Sequence, residues 1–305
     1  MAGKTMTIAV TGANSSVGLN LLEHLAGRND LDVVACVRSD GAAASLPDSP
    51  RQRVHVVPYE DGAGLAKALT GAQCVVHLAG ILIEWKGTNY ESANVSTTSA
   101  VAKAASEAGV EHIVLVSVVG ASAESPNRYF RSKGQAERAV ASSGIPATIV
   151  RTPILLGPDT AGASALVRTV RMGKAKLLGG GRYTMRPLDV DDLSGAILAI
   201  CGSRPEGVAV HELVGPQPIT YRALVELAAE TAGKDVTIGS TPIWVAKVGT
   251  AIGRGLKRGG LSPTVIDVIT MDEVVEKNAD GALGIALTPL SETLRKIFPQ
   301  TERVP

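Results

Sequence analysis

Residues 11–18, with the sequence T-G-A-N-S-S-V-G, constrain the fold more than any other stretch of this chain. The apolar run 7–10 before them is typical of a buried strand. In residues 17–25 after them, apolar side chains recur three and four positions apart, as on one helix face. Strand, glycine turn and helix in this order are the setting of a dinucleotide-binding loop.

The turn itself supplies the expected phosphate contacts. Gly12 would turn the chain off the strand, and Gly18 would let the helix approach the sheet. The first N–H groups of the helix would then face a pyrophosphate at the positive end of the helix dipole. Ser15 stands where a three-glycine pattern has its middle glycine. The residues predicted to bind the cofactor here are Gly12, Asn14, Ser15, Ser16, Val17 and Gly18.

Composition narrows the class of protein. The 305 residues are 45% hydrophobic, which is enough for a large α/β unit or two domains. Thirty basic and 29 acidic residues, with 3% aromatics, argue against nucleic-acid binding. The three cysteines lie singly in apolar runs without metal-ligand spacing, so we expect no metal. Without a signal peptide or a run of about 18 apolar residues, we expect a cytoplasmic protein with no transmembrane segment.

Apolar runs at 31–37, 54–57, 75–80, 113–117 and 147–151 alternate with helical patterns. This alternation predicts an α/β fold, a Rossmann-type doubly wound parallel sheet. Ligands of such sheets bind beyond the carboxyl ends of the strands. Gly12, Arg38, the pair Ala79 and Gly80, and Ser117 all follow or end predicted strands, so the sequence predicts one site at a shared edge.

Arg38 and Ser39 end the second predicted strand, twenty residues after Gly18. An acidic residue near this position suits the ribose hydroxyls of NAD(H), whereas an arginine suits a 2′-phosphate. The sequence therefore favours NADP(H) over NAD(H).

Small residues end the fourth predicted strand. Leu78, Ala79 and Gly80 would let the backbone pass close to a ribose or nicotinamide, and we expect them to contact the cofactor. His77 is interpreted as a structural histidine.

Tyr129 and Lys133 are four residues apart on a predicted helix and so share one face. A nearby ammonium favours a phenolate, so we expect Lys133 to lower the pKa of Tyr129 and prepare it for acid–base chemistry. The same lysine could donate hydrogen bonds to ribose hydroxyls.

These motifs, with H-L-A-G at 77–80, R-T-P-I-L-L-G-P at 151–158 and R-P-L-D-V-D-D-L at 186–193, resemble those of short-chain dehydrogenases/reductases of the extended or atypical branch. The segments 77–82, 125–133 and 283–290 are most similar to an atypical subgroup. That subgroup includes the NADPH-carrying accessory subunit of respiratory complex I and relatives of NAD-dependent epimerases and dehydratases.

The resemblance implies a role for each matching residue. Tyr129 would be the acid/base and Lys133 the ribose binder. Asn94 would support a proton-relay water, and Ser117 would hold the substrate oxygen. In extended members the catalytic hydroxyl often lies at the position of Val119, and Ser122 is an alternative. The aspartate that binds adenine in the family aligns with Pro58 in this chain. Asp61 could replace it or could be a helix N-cap. Pro153 and Ile154 would line the nicotinamide.

The second half of the chain would interleave with the first. We expect a dinucleotide-binding domain at 1–155 to which 190–214 return, and a smaller substrate or lid domain at 156–189 and 215–305. Residues 243–258 are apolar with basic residues toward their end, which suits a pocket-covering helix, an oligomer contact or a peripheral membrane contact.

Taken with the resemblance, these patterns predict an NADP(H)-dependent oxidoreductase that interconverts a carbonyl and an alcohol on a small-molecule substrate. Two alternatives stay open. One is a cofactor-binding accessory or redox-sensor protein without turnover, and the other is a sugar-type epimerase or dehydratase.

Overall fold

The computed structural model describes residues 5–253 and 261–299. The strands in these ranges are β1 Met6–Thr11, β2 Leu31–Val37, β3 Gln52–Val56, β4 Cys74–His77, β5 His112–Val118, β6 Ala147–Thr152, β7 Leu155–Leu156, β8 Lys174–Leu178, β9 Thr184–Met185, β10 Leu188–Asp189, β11 Val208–Glu212, β12 Ile219–Thr220 and β13 Thr237–Thr241.

The helices are α1 Ser16–Ala26, α2 Asp40–Ala43, α3 Gly62–Leu69, α4 Thr97–Glu107, α5 Arg128–Ala141, α6 Ala161–Met172, α7 Val190–Ser203, α8 Tyr221–Thr231, α9 Ile243–Gly253, α10 Pro263–Ile269, α11 Asp280–Leu283 and α12 Leu290–Ile297. A π-helical turn, Glu91–Ser96, precedes α4.

Seven parallel strands form the central sheet in the order β3–β2–β1–β4–β5–β6–β11. The strand order reverses at β1: β2 and β3 lie on one side of it, and after β3 the chain crosses over so that β4 pairs with the other side of β1. This is the switch point at which doubly wound sheets bind their ligands. The predicted Rossmann-type fold is confirmed.

The inner strands of the central sheet are buried on both faces because helices cover each face. One face packs on α1 and α7 through residues such as Leu22 and Ile197. The other packs on α3, α4 and α5 through residues such as Leu65 and Val101. Strands covered on both sides read as continuous apolar runs, which is why the sequence identifies them.

A further apolar core lies outside the central sheet. It joins α6, α8 and α12 with the short strands β7 to β9, and its buried members include Leu166, Leu224 and Leu294. All of its buried members come from the ranges predicted for the smaller domain, and Ile154, from the other range, packs against them. The domain boundaries themselves stay a prediction.

The structure corrects three element boundaries. The last strand of the sheet is Val208–Glu212 and not 211–214, because Val208 and Val210 are exposed on this edge strand and give no buried pattern. β4 ends at His77 and not at Gly80. The helix predicted from 89 begins as the π-turn Glu91–Ser96, and just after it the hydroxyl of Thr98 donates to the carbonyl of Asn94 at 2.6 Å.

The described ranges bear on three further predictions, which concern a transmembrane segment, a metal site and the segment 243–258. Among the helices there, none is long and apolar enough to cross a membrane. The same residues contain no cluster of His, Cys, Asp or Glu arranged to hold a metal ion. Helix α9 covers residues 243–253 of the segment predicted at 243–258. Residues 254–258 lie outside the described residues.

Candidate functional site

The turn between β1 and α1 forms one side of the site. Gly12 has φ +76°, and a Cβ on it would lie 2.8 Å from the backbone nitrogen of Ala79. A Cβ on Gly18 would lie 2.4 Å from the carbonyl oxygen of Ala13. Both glycines are therefore required for the turn to lie against the end of β4 and for α1 to pack against the turn.

Helix α1 begins inside this turn and presents its N-terminus to the same edge of the sheet. Ser15 is its N-cap, and its hydroxyl oxygen accepts a hydrogen bond from the backbone N–H of Gly18 at 3.0 Å. Asn14 is exposed, and Ser16 and Val17 are half-buried in the first turn. N–H groups at a helix start have no carbonyl partner within the helix, so they are suited to a phosphate.

Arg38 extends from the end of β2 into solvent. Its guanidinium lies 6.0 Å from the ring centroid of Tyr59, which sequence reasoning missed. Within the described part of the chain, no carboxylate forms an ion pair with Arg38. The adjacent Ser39 caps α2 by accepting the N–H of Ala42 at 3.3 Å. This strand end therefore carries an accessible positive charge.

Asp61 is a helix cap. Its carboxylate accepts the backbone N–H of Gly64 at 2.9 Å at the start of α3, as one of its two predicted roles required.

The ends of β4 and the π-turn meet at Gly80. A Cβ on Gly80 would lie 3.1 Å from Asn94 Oδ1 and 3.8 Å from Lys133 Nζ. The two residues before Gly80 pack on opposite faces of the sheet. Leu78 packs on the core that includes α1, and Ala79 packs on the core that includes α4. The structure thus brings the predicted small-residue segment next to the predicted lysine.

Asn94 is buried, and its side chain is fully engaged within the protein. Its Oδ1 accepts the N–H of Ile81 at 2.8 Å, and its Nδ2 donates to the carbonyl of Ile81 at 3.2 Å and to Ser132 Oγ at 2.9 Å. Ser132 in turn donates to the carbonyl of Tyr129 at 2.7 Å. Asn94 therefore fixes the loop after β4 against α5, a positioning role.

Tyr129 and Lys133 lie one turn apart on α5, and both are buried. Burial, with a smaller contribution from Tyr90, raises the pKa of Tyr129. The prediction that Lys133 lowers this pKa is therefore wrong for this structure. The Lys133 ammonium donates instead to the carbonyl of Val116 at 3.0 Å, and burial lowers the pKa of Lys133 itself to about 8.

Ser117 is the clearest correction among the predicted site residues. Its hydroxyl donates to Glu137 Oε1 at 2.5 Å, and the side chain is only 1% exposed. Arg151 forms two further bonds to the same carboxylate, at 3.0 and 2.7 Å. Because Ser117 faces α5 inside the protein, the prediction that it holds the substrate oxygen is wrong.

Neither alternative replaces Ser117 beside Tyr129. Val119 has no hydroxyl, and its backbone N–H donates to the carbonyl of Thr152 at 3.0 Å. The hydroxyl of Ser122 contacts Glu124, donating to its carboxylate at 3.4 Å and accepting its N–H at 3.3 Å.

Pro153 and Ile154 follow the carboxyl end of β6, at the same edge of the sheet. The carbonyl of Ile154 accepts the N–H of Leu188 at 3.1 Å, which joins this segment to β10. Their predicted contact with the nicotinamide stays a prediction.

A buried chain of hydrogen bonds connects the glycine turn to the π-turn. Thr11 Oγ1 lies 2.7 Å from His77 Nδ1, and His77 Nε2 lies 3.1 Å from Thr98 Oγ1. The Thr98 hydroxyl uses its proton to donate to the carbonyl of Asn94, so it accepts a hydrogen bond from Nε2–H of His77. Nδ1 of His77 then carries no proton and accepts from the hydroxyl of Thr11. Burial and the Lys133 charge lower the pKa of His77 to about 3, so the ring stays neutral. His77 is structural, as its sequence interpretation holds.

A parallel sheet with a glycine turn, a helix N-terminus and small residues at its switch point defines an NAD(P)-binding protein. Residues 12–177, more than half of the chain, match the NAD(P)H-binding family. The protein belongs to this family.

Curated relatives extend the match beyond that region. NADH dehydrogenase (ubiquinone) 1 alpha subcomplex subunit 9 of Arabidopsis thaliana is 29% identical over 231 residues, 72% of this chain and 56% of the relative. Ceramide reductase of Caulobacter vibrioides is 26% identical over 228 residues, 74% of this chain and 70% of the relative. The chain thus spans little more than half the length of the Arabidopsis subunit.

Solved structures share the whole fold. MoeE5 in complex with UDP-glucose and NAD superposes with a TM-score of 0.76 at 20% identity, over 96% of this chain and 97% of that one. Citrobacter sp. triphenylmethane reductase complexed with NADP(H) superposes at 0.73 and 22% identity, over 95% and 99%. The resemblance to atypical short-chain dehydrogenases/reductases is confirmed.

Proposed function

We propose that the protein is an NADP(H)-dependent oxidoreductase that reduces a carbonyl compound, with Tyr129 as the proton donor. The observation that carries this proposal is the meeting of α5 with the switch point of the sheet. Lys133 Nζ lies 3.8 Å from the Cβ position of Gly80, and Tyr129 lies one helical turn away on the same face.

The residues present fit a dinucleotide. The close approach at Gly12 leaves the N-terminus of α1 facing the edge of the sheet, where a pyrophosphate would bind. Lys133 would donate to a ribose hydroxyl in addition to the carbonyl of Val116. When bound, the nicotinamide would supply a hydride.

Tyr129 carries the proton that carbonyl reduction requires. Because its pKa is raised by burial, the phenol keeps its proton at neutral pH. A protonated phenol can donate to the oxygen of a carbonyl as that oxygen becomes an alcohol.

Arg38 supports the choice of NADP(H). An accessible guanidinium at the end of β2 would pair with a 2′-phosphate, which NADPH carries and NADH does not. We expect Arg38→Gln to weaken NADPH binding ten- to a hundredfold, the effect of one charged hydrogen bond, and to leave NADH within about twofold. Dissociation constants from cofactor fluorescence measure both.

The matched control is Arg53→Gln, which removes the same charge from an exposed residue of the neighbouring strand β3. It should change neither constant. Equal losses for NADPH and NADH in Arg38→Gln would rule out the 2′-phosphate contact.

A second candidate is a cofactor-binding accessory protein without turnover. It is favoured by the lack of a hydroxyl at Val119, by the inward orientation of Ser117 and by the similarity to an NADH dehydrogenase subunit. NADPH oxidation with a panel of carbonyl compounds separates the two. Turnover that Tyr129→Phe abolishes supports the oxidoreductase, whereas NADPH binding without turnover on any compound supports the accessory protein.

A further inference from the structure

The surroundings of Tyr129 define the kind of molecule that could reach it. Its ring packs with those of Tyr90 and Phe130, each with a centroid 5.7 Å away. Half-buried apolar side chains from three segments of the chain pack against these rings: Ile81, Leu82, Val118, Val268 and Met271. We call these eight residues the Tyr129 cluster.

Polar groups at the cluster already have partners inside the protein. The hydroxyl of Tyr90 donates to the carbonyl of Leu82 at 2.8 Å. Arg128, whose guanidinium lies 5.7 Å from the Tyr90 ring centroid, pairs with Glu84 at 3.1 Å.

Helix α10 supplies the outer wall of this cluster. Asn127, the N-cap of α5, donates to the carbonyl of Thr264 at 3.0 Å and so holds the start of α10 against α5. At the other end, Met271 lies so close to Gly120 that a Cβ there would be 3.1 Å from Met271 Cε.

The apolar surface continues outward from α10. Helix α9 packs on α10 and exposes Trp244, Val245 and Val248, with Trp244 69% exposed. A molecule entering past α10 would therefore meet apolar side chains both outside and inside the site.

We infer that the substrate of this site is an uncharged, apolar carbonyl compound, alkyl or aryl, and not a nucleoside-diphosphate sugar. This inference rests on the proposed role of Tyr129. A diphosphate carries charges whose transfer to an apolar site is costly unless cations pair with them. An alkyl or aryl chain would instead gain from each apolar contact of the cluster.

The test uses a homologous series of 2-alkanones, from 2-butanone to 2-decanone, with the full chain loaded with NADPH. Calorimetric titration measures binding, and NADPH oxidation measures turnover. Each methylene buried by the site should raise affinity about fourfold until the site is filled. UDP-glucose should neither bind nor compete. Tighter binding of UDP-glucose, or no dependence on chain length, would overturn the inference.

Variants tie the effect to the cluster. Met271→Ser and Val268→Ala should each weaken 2-decanone about fivefold or more and leave NADPH affinity unchanged. Val274→Ser, in the same segment but 79% exposed, is the matched control and should change neither. Unaltered 2-decanone affinity in both cluster variants would contradict the assignment.

Binding and turnover separate this inference from the function on which it rests. If alkanones bind with the expected length dependence but are never reduced, the proposed reductase activity fails and the apolar site stands. If a charged or sugar carbonyl is reduced and alkanones do not bind, the reductase stands and the apolar site fails.

Discussion

Lys133 is an ammonium group held where its charge is costly. The side chain is 7% exposed, and burial lowers its pKa to about 8 although Glu137 acts in the opposite direction. In its proposed role such a group would contribute to cofactor binding at the expense of folding, because the ammonium loses its water when the protein folds, before any ribose is bound.

The first prediction concerns the pH dependence of stability without cofactor. Between about pH 8 and 10.5 the unfolded chain keeps the Lys133 proton and the folded protein has lost it, so this group makes folding more favourable as pH rises. Lys133→Met removes that contribution. The difference in unfolding free energy between variant and wild type, measured by urea denaturation, should shrink from pH 7.5 to 9.5. A constant difference would show that Lys133 titrates as an exposed lysine.

The second prediction distinguishes Ser117 from Tyr129. Ser117→Ala removes a buried hydrogen bond to Glu137 and should lower the free energy of unfolding by about 1 kcal/mol, with kcat for carbonyl reduction within about twofold of wild type. Tyr129→Phe should lower kcat a hundredfold or more. Steady-state kinetics compare the two. Equal losses of kcat would restore Ser117 to the reaction.

At the scale of elements, α5 is positioned by close packing as well as by hydrogen bonds. A Cβ on Gly134 would lie 2.2 Å from the backbone of Ser122 and Ala123, so the loop after β5 rests directly on the helix. Residue 134 follows Lys133 immediately. The contact therefore sets how far α5 lies from the site edge.

We expect Gly134→Ala to destabilise the protein by about 1 to 3 kcal/mol, because the new methyl group overlaps backbone that must move. It should also raise the KM for carbonyl substrate by displacing α5. The matched control is Gly195→Ala in α7, where a Cβ meets nothing within 4 Å. That change should stabilise by about 0.5 to 1 kcal/mol, and thermal unfolding measures both. Equal melting temperatures would show that α5 does not rest on the loop.

The sequence was informative about elements and motifs and less so about orientation. Buried strands such as β2 and the pair Tyr129 and Lys133 follow from local patterns, since period and spacing are local properties. The orientation of Ser117 was not predictable, because it depends on Glu137 and Arg151 from other elements. The raised pKa of Tyr129 was not predictable either, because it depends on burial, which is set by the whole fold.

At the scale of the molecule, the C-terminal helix α12 is attached to the sheet domain through charges. Lys296 donates to Asp189 Oδ2 at 3.0 Å and to Asp191 Oδ2 at 2.6 Å, at the start of α7. Thr293 donates to the same buried oxygen of Asp189 at 2.6 Å. Asn20 of α1 donates to Asp191 at 2.8 Å, so this cluster connects α12 to the helix that begins at the glycine turn.

Lys296→Met should lower the free energy of unfolding at pH 7 by about 1 to 2 kcal/mol, between the values for exposed and buried ion pairs. These hydrogen bonds, with those from Asn20 and His24, hold the pKa of Asp191 below its usual value. Stability from this pairing is present above about pH 4 and is lost as pH falls further. The difference between wild type and variant should therefore shrink below pH 4, as chemical denaturation would show. A difference that stays constant from pH 6 down to pH 2 would indicate lost packing and not lost charge.

Deuteride transfer from 4-deuterated NADPH to an alkyl ketone tests the central claim most directly. Mass spectrometry of the alcohol formed by the wild-type protein should show deuterium at the carbinol carbon, and Tyr129→Phe should form a hundredfold less. Cofactor that binds tightly while no ketone, aldehyde or sugar in the panel acquires deuterium would contradict the account, and the protein would then be a cofactor-binding accessory protein.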